Sequence, residues 1–301
     1  MPARPAAHRA SLYDLPLFLL LIGVASIAML VPAVFAGVTR ELATGRSFLY
    51  SGLLGLIGFG MIALAERGPP TRRDKLGPLI ALFAAFTVLP IFLAVPLHDA
   101  LRTTSFFNAY LEMVSAITTT GAPIFDDPNR LNPPLHLWRA MVAWLGGLLV
   151  WVSAAAILAP LNLGGFEVTS RAEPGMRTNY DVTMAIPDAR IRLSRAAATL
   201  VPVYIGLTLL LWLLLYVSGD LSFVAICHAM SIMATSGISP VNGLENQASG
   251  VAGEAVMLLF MLLALSRLTF STDTKTSESG GLRTDPEFRL GLAIATIVPV
   301  A

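Results

Sequence analysis

The sequence predicts an all-α integral membrane protein: an N-terminal helical hairpin, then two copies of a helix, re-entrant segment, helix unit, then the beginning of a third. Three observations predict it. Of 301 residues 55% are apolar and 13% charged, about half the charged share of a soluble domain, and mean hydropathy is +0.71; a soluble enzyme is not built this way. Six charge-poor runs are long enough to cross a bilayer, and two shorter apolar segments recur at a fixed spacing. The 24 Gly and 20 Pro are scattered through apolar runs rather than periodic, which excludes a collagen-like or disordered chain. A net charge of +1 shows no basic bias toward nucleic acid, and the lone Cys227 excludes an intrachain disulfide or a Cys-rich metal site.

Crossing a bilayer takes roughly 20 apolar residues. Runs of that kind lie at 15–38, 47–65, 76–97, 136–160, 196–218 and 251–266, and a seventh begins after Arg289. The first follows Arg4, His8 and Arg9, but its apolar stretch exceeds a signal-peptide core and no small-residue cleavage site ends it, so it reads as a retained helix. Fifteen of the 20 Lys and Arg fall in the N-terminus and the links 66–75, 161–195 and 267–290; the opposite set has only Arg40, Arg46, Arg102, Arg130 and Arg139. The positive-inside rule therefore sets the N-terminus in the cytoplasm and the loops 98–135 and 219–250 outside.

Each of those outer loops holds a second apolar segment, Phe106 to Ile117 and Leu221 to Met233. They are too short to cross and suit helices that enter and leave on the same side. An offset of 116 residues aligns Phe107 with Phe223, Ala109 with Ala225, Ser115 with Ser231, Thr119 with Thr235, Thr120 with Ser236 and Gly121 with Gly237. The same offset carries 76–97 onto 192–213 and 136–160 onto about 252–276, so three elements agree on one repeat. The expected organisation is an N-terminal hairpin over 1–70, a first unit over 71–160, a link over 161–195, a second unit over 196–270, and a link with the start of a third unit over 271–301.

The chemistry lies in the tails of the short helices, Thr118-Thr119-Thr120-Gly121 and Ala234-Thr235-Ser236-Gly237. Glycine takes backbone angles that β-branched residues resist, and Thr or Ser before it supplies an extended stretch anchored by hydroxyls. Carbonyl oxygens of such a stretch can replace the hydration shell of a monovalent cation, helped by the negative end of the preceding helix dipole. No ionised side chain is needed, and none occurs from Met113 to Phe125 or from Ala229 to Leu244. One Thr-Thr-Thr-Gly string alone is as readily a turn or a helix C-terminus; two at one offset favour the pore.

Other polar residues have two readings each. Asp126 and Asp127 are either a cation-attracting vestibule or a solvated Asp-Asp-Pro turn. Glu112, an ionisable group at membrane depth, is a vestibule or ion-pathway candidate, or else a hydrogen-bonding partner of the adjacent loop backbone. His228, 116 residues later, has no neighbours at metal-ligand spacing and reads as structural. Arg139 reads as snorkelling to the outer interface beside Trp138, and Ser26 and Ser153 as backbone-bonded or packing residues.

These residues resemble the Trk/Ktr/HKT superfamily of potassium transporters, and within it the bacterial TrkH type of subunit. The resemblance rests on Ser115 to Ala122 (SAITTTGA), His228 to Ser239 (HAMSIMATSGIS), Leu137 to Gly147 (LWRAMVAWLGG) and Gly165 to Gly175 (GFEVTSRAEPG), and runs from about residue 10 onward. It implies a pseudo-fourfold, potassium-channel-like fold in which four helix-pore-helix units each give one filter glycine, Gly121 and Gly237 being the first two. Glycine rather than serine at Gly121 implies preference for potassium over sodium. It further implies potassium as substrate without a cofactor, sodium or protons as other candidate ions, a homodimer, a cytosolic TrkA-like nucleotide-binding ring docking on 161–195 and 267–290, and a bacterial inner-membrane location. The gating elements of the third and fourth units have no counterpart in this stretch, which is expected to be the N-terminal part of such a pore, truncated in its third repeat.

Two other classes are weighed. A secondary carrier with discontinuous helices would need inverted repeats, whereas a period holding two spans and one re-entrant segment returns each copy to the same side. An intramembrane enzyme lacks any His-Glu, paired Asp or Ser-His-Asp grouping on the spans. A non-conducting fragment is the remaining alternative.

Overall fold

In the computed structural model, residues 15–65, 77–125, 127–158, 189–243 and 246–265 are described; Asp126, the Gly165 to Gly175 motif, most of the cytoplasmic links and the start of the third unit lie outside them. Among the described residues all regular structure is helical. Ten α-helices follow in order: α1 (Leu17–Ala28), α2 (Leu30–Val38), α3 (Leu42–Ala65), α4 (Gly77–Thr87), α5 (Leu89–Leu101), α6 (Phe106–Ile117), α7 (Pro133–Ser153), α8 (Ala189–Val217), α9 (Ser222–Met233) and α10 (Gly250–Leu265). Five stretches are long and apolar enough to span a membrane: Leu17–Val38, Leu42–Ala65, Gly77–Leu101, Pro133–Ile157 and Ile191–Val217. The sixth expected span is described only as far as Leu265. This is an all-α, multi-pass membrane protein.

Proline sets the breaks within spans. Pro32 cannot donate to the carbonyl of Ala28, where α1 gives way to α2, and Pro90 likewise follows the α4–α5 junction at Val88. Helix ends differ from the charge-based runs because caps, not hydropathy, terminate helices. Thus α7 starts at Pro133, with Asn132 Oδ1 accepting from the Leu135 amide at 3.3 Å. Helix α8 begins before the expected span and includes Arg192 and Arg195, because charge disfavours the bilayer but not a helix.

The chain forms two units. One holds residues 1–106 and 150–198, where α3 packs on α1, α2 and α5, and α4 on α1 and α5. Small residues make that approach possible: a Cβ on Gly52 would sit 3.0 Å from the Ser26 carbonyl, and one on Gly55 would overlap the Ser26 hydroxyl. The Ser26 hydroxyl donates to the Ile22 carbonyl at 2.7 Å, the backbone bond expected of it. Ser153 is buried with no hydrogen-bond partner for its hydroxyl.

The other unit holds residues 107–149 and 199–301 and contains both short helices. Its core gathers Tyr204, Leu211 and Leu215 of α8 with Ala225, Ala229, Ile232 and Met233 of α9 and Met257 and Phe260 of α10. Two indole nitrogens packed against it are paired: Trp144 Nε1 donates to Thr208 Oγ1 at 2.9 Å, and Trp212 Nε1 to the Ser222 carbonyl at 3.2 Å.

Candidate functional site

The expected re-entrant segments are α6 and α9, each 12 residues and starting 116 positions apart. Both end in the same way. The amides of Thr119 and Thr120 donate to the carbonyls of Ala116 and Ser115, and those of Thr235 and Ser236 to Ile232 and Ser231, all at 2.9–3.0 Å. This is the reciprocal pair of bonds of a Schellman C-cap. The residue that takes the left-handed conformation is not glycine but threonine, with φ 55° at Thr119 and 53° at Thr235.

That departs from the extended Thr stretch expected from sequence. Helix termination needs a left-handed residue at that position, and the glycine comes two residues too late to supply it. A β-branched residue there is strained by about 1–3 kcal/mol. Gly121 and Gly237 then repeat the conformation at φ 67° and 69°, while the residues between are not left-handed.

The two tails meet. A Cβ on Gly121 would overlap the carbonyl oxygen of Ser236, whereas one on Gly237 would have nothing within 4 Å. Hydroxyls hold the chain around them: Ser115 donates to the Ala122 carbonyl at 2.8 Å, Thr118 and Thr120 share a 2.8 Å bond, and Ser231 and Ser236 one of 3.2 Å. Gly146 and Gly147 of α7 bring the supporting helix in. A Cβ on Gly146 would overlap the Ile117 carbonyl at the end of α6, and one on Gly147 would lie 3.0 Å from Ala234 Cα at the end of α9. Sequence reading missed both roles, although two adjacent glycines in an apolar helix are a signal of close backbone approach.

Glu112 is 1% exposed, so its carboxylate has no open vestibule setting. Oε2 accepts the Ile124 amide at 2.8 Å and Oε1 accepts from Arg139 Nε. Arg139 is correspondingly buried, beside a fully buried Trp138. The snorkelling expectation fails because the buried carboxylate offers a stronger partner than the interface. Asp127 is exposed, and its carboxylate accepts from the backbone of Asn129 at 2.9 Å and its side chain at 3.1 Å, capping the turn Pro128–Arg130.

His228 occupies the position matching Glu112. Its Nε2 lies 2.9 Å from Ser239 Oγ, which also donates to the Gly243 carbonyl at 3.2 Å and accepts from the Val241 amide at 3.2 Å. With the single hydroxyl proton given to the Gly243 carbonyl, Nε2 is the donor in its contact with Ser239. Among the described residues no group of three or more His, Cys, Asp or Glu could hold a metal ion.

No protein-family model matches the chain. It is 26% identical over 285 residues to the Trk system potassium uptake protein TrkH of Vibrio parahaemolyticus, covering 93% of the chain and 57% of that relative. The chain resembles the Trk potassium uptake proteins. The relatives include Trk system potassium uptake protein TrkG of Escherichia coli, 28% identical over 81% of the chain and 49% of the relative. Trk system potassium uptake protein TrkI of Halomonas elongata is 32% identical over 59% of the chain and 32% of its own length. The fold is that of the crystal structure of the potassium transporter TrkH from Vibrio parahaemolyticus, with TM-score 0.73 at 24% identity, covering 96% of this chain and 57% of that one. The chain thus spans about half the length of the curated Trk relatives it matches over most of its length.

Proposed function

We propose that this chain contributes two of the four quadrants of a potassium-uptake pore, with backbone carbonyls of Thr118 to Gly121 and Ala234 to Gly237 replacing the ion's hydration shell. One observation carries the reading: two tails with the same left-handed residues, 116 positions apart, lie against each other at Gly121 and the Ser236 carbonyl. A turn that merely ended a helix would need neither a second left-handed residue nor a partner segment. Similarity to proteins named for potassium uptake supports potassium as the ion, ahead of sodium or protons. The excess of Lys and Arg on one set of connections supports an inner-membrane protein with a cytoplasmic N-terminus. In this reading the four units of one pore lie in one full-length polypeptide, which forms a homodimer with a nucleotide-binding ring contacting 161–195 and 267–290, and ion flow needs no cofactor and no catalysis.

The test is Gly121→Ser, expressed from the complete reading frame in cells lacking their own potassium uptake. A hydroxymethyl group there meets the Ser236 carbonyl and a disfavoured φ. The ratio of potassium to sodium uptake is expected to fall. An unchanged ratio with protein present in the membrane overturns the assignment.

A further inference from the structure

The residue at one pore-helix position, Glu112 in the first segment and His228 in the second, ties the backbone beyond the filter to the scaffold behind it. Glu112 reaches 12 residues along the chain to the Ile124 amide, three residues past Gly121. His228 reaches 11 residues to Ser239, two past Gly237, and Ser239 passes the contact to Val241 and Gly243. The position is shared, but the chemistry is not. His228 makes a neutral hydrogen bond, whereas Glu112 is held from the far side by Arg139 of α7 in a pair whose side chains are 2% and 5% exposed.

Resting on the filter reading above, we infer that Glu112 and Arg139 form a positioning clamp that sets the ion preference of the first filter segment. Arg139 fixes the carboxylate, the carboxylate fixes the Ile124 amide, and the Ile124 amide fixes the exit of the strand whose carbonyls face the ion. The guanidinium neutralises the carboxylate, so the pair adds little net field to the pathway and acts through geometry. Geometry suffices, because a carbonyl filter discriminates between ions by where its oxygens stand. A buried pair is also intolerant of half-removal, since the remaining partner is left charged and unpaired. In Glu112→Gln the amide presents one oxygen where two acceptors are needed, so its NH2 must face either the Ile124 amide or Arg139, donor against donor.

The experiment compares potassium and sodium uptake, each normalised to transporter in the membrane, for Glu112→Gln, Arg139→Gln and Gly121→Ser in the complete reading frame. A purely structural role lowers uptake of both ions in proportion, because fewer pores fold, and leaves their ratio fixed. A clamp lowers the potassium-to-sodium ratio by about tenfold or more, within the roughly hundredfold that a 1 Å misplacement of a working group can cost. A fixed ratio in both Gln variants while Gly121→Ser shifts it overturns the clamp and keeps the filter. A fixed ratio in Gly121→Ser overturns the filter itself. If the Gln variants do not reach the membrane, Glu112→Asp decides: it keeps the charge but loses one methylene of reach, so a shifted ratio supports the clamp and an unshifted one overturns it.

Discussion

The segments 106–124 and 222–240 share a helix length, a C-cap and two left-handed residues, yet differ in what surrounds that backbone. In the first, Gly121 faces the Ser236 carbonyl, and an ion pair holds the backbone at Ile124. In the second, Gly237 faces open space, and a histidine and a serine hold the exit. Conformation is thus repeated while support is not. A backbone shape can be specified by short-range bonds that recur with the repeat, whereas the groups behind it must fit one particular neighbour each.

The largest test of that contrast is Gly121→Ala against Gly237→Ala. Both incur about 1–2 kcal/mol for a left-handed alanine. Gly121→Ala adds an overlap with backbone that cannot rotate away, about 1–3 kcal/mol more. Gly121→Ala is therefore expected to abolish selective uptake and lower the thermal midpoint more than Gly237→Ala, measured by flux and by unfolding of the detergent-solubilised protein. Equal effects would mean that the two tails do not meet as described.

Next come the glycines of α7, which serve different segments. Gly146→Ala strikes the Ile117 carbonyl, whereas Gly147→Ala makes tight contacts short of that overlap, 2.9 Å to the Tyr204 hydroxyl and 3.0 Å to Ala234 Cα. Gly146→Ala should destabilise by about 1–3 kcal/mol and Gly147→Ala by less, with thermal midpoints as the readout; the reverse order would contradict the packing. A smaller effect is expected of Ser239→Ala, which leaves His228 Nε2 and the Val241 amide without their shared acceptor. The cost is about 1–3 kcal/mol if both stay dry, less where water reaches Val241, and hydrogen exchange at Val241 should accelerate while that at Ile124 does not. The smallest belongs to Asp127→Asn. Asparagine caps a turn as well as aspartate, so stability should change by no more than a few tenths of a kcal/mol. Uptake that falls selectively at low ionic strength would instead favour the vestibule reading of that carboxylate.

Five of the expected spans and both short helices were legible in the sequence, for physical reasons. A bilayer demands about 20 apolar residues per crossing, a segment of 12 must return to its own side, and a repeat offset survives where backbone conformation is reused. The sequence also marked Glu112, His228 and Arg139 as unusual, since polar groups inside apolar runs need a partner. It could not say which partner. That Arg139 turns inward to Glu112, that Ile124 and Ser239 receive the tethers, and that Gly146 admits the end of α6 depend on segments 11 to 29 residues apart in the chain. Local pattern holds no record of such distances. Even the left-handed position fell on Thr119 and Thr235 rather than on the glycines alone, because the helix end, not local preference, decides where the chain must turn. Sequence determined which stretches are long and apolar enough to cross a membrane and where the two short helices fall; tertiary structure decided what stands behind each of them, because a buried polar group is defined by the one neighbour that satisfies it.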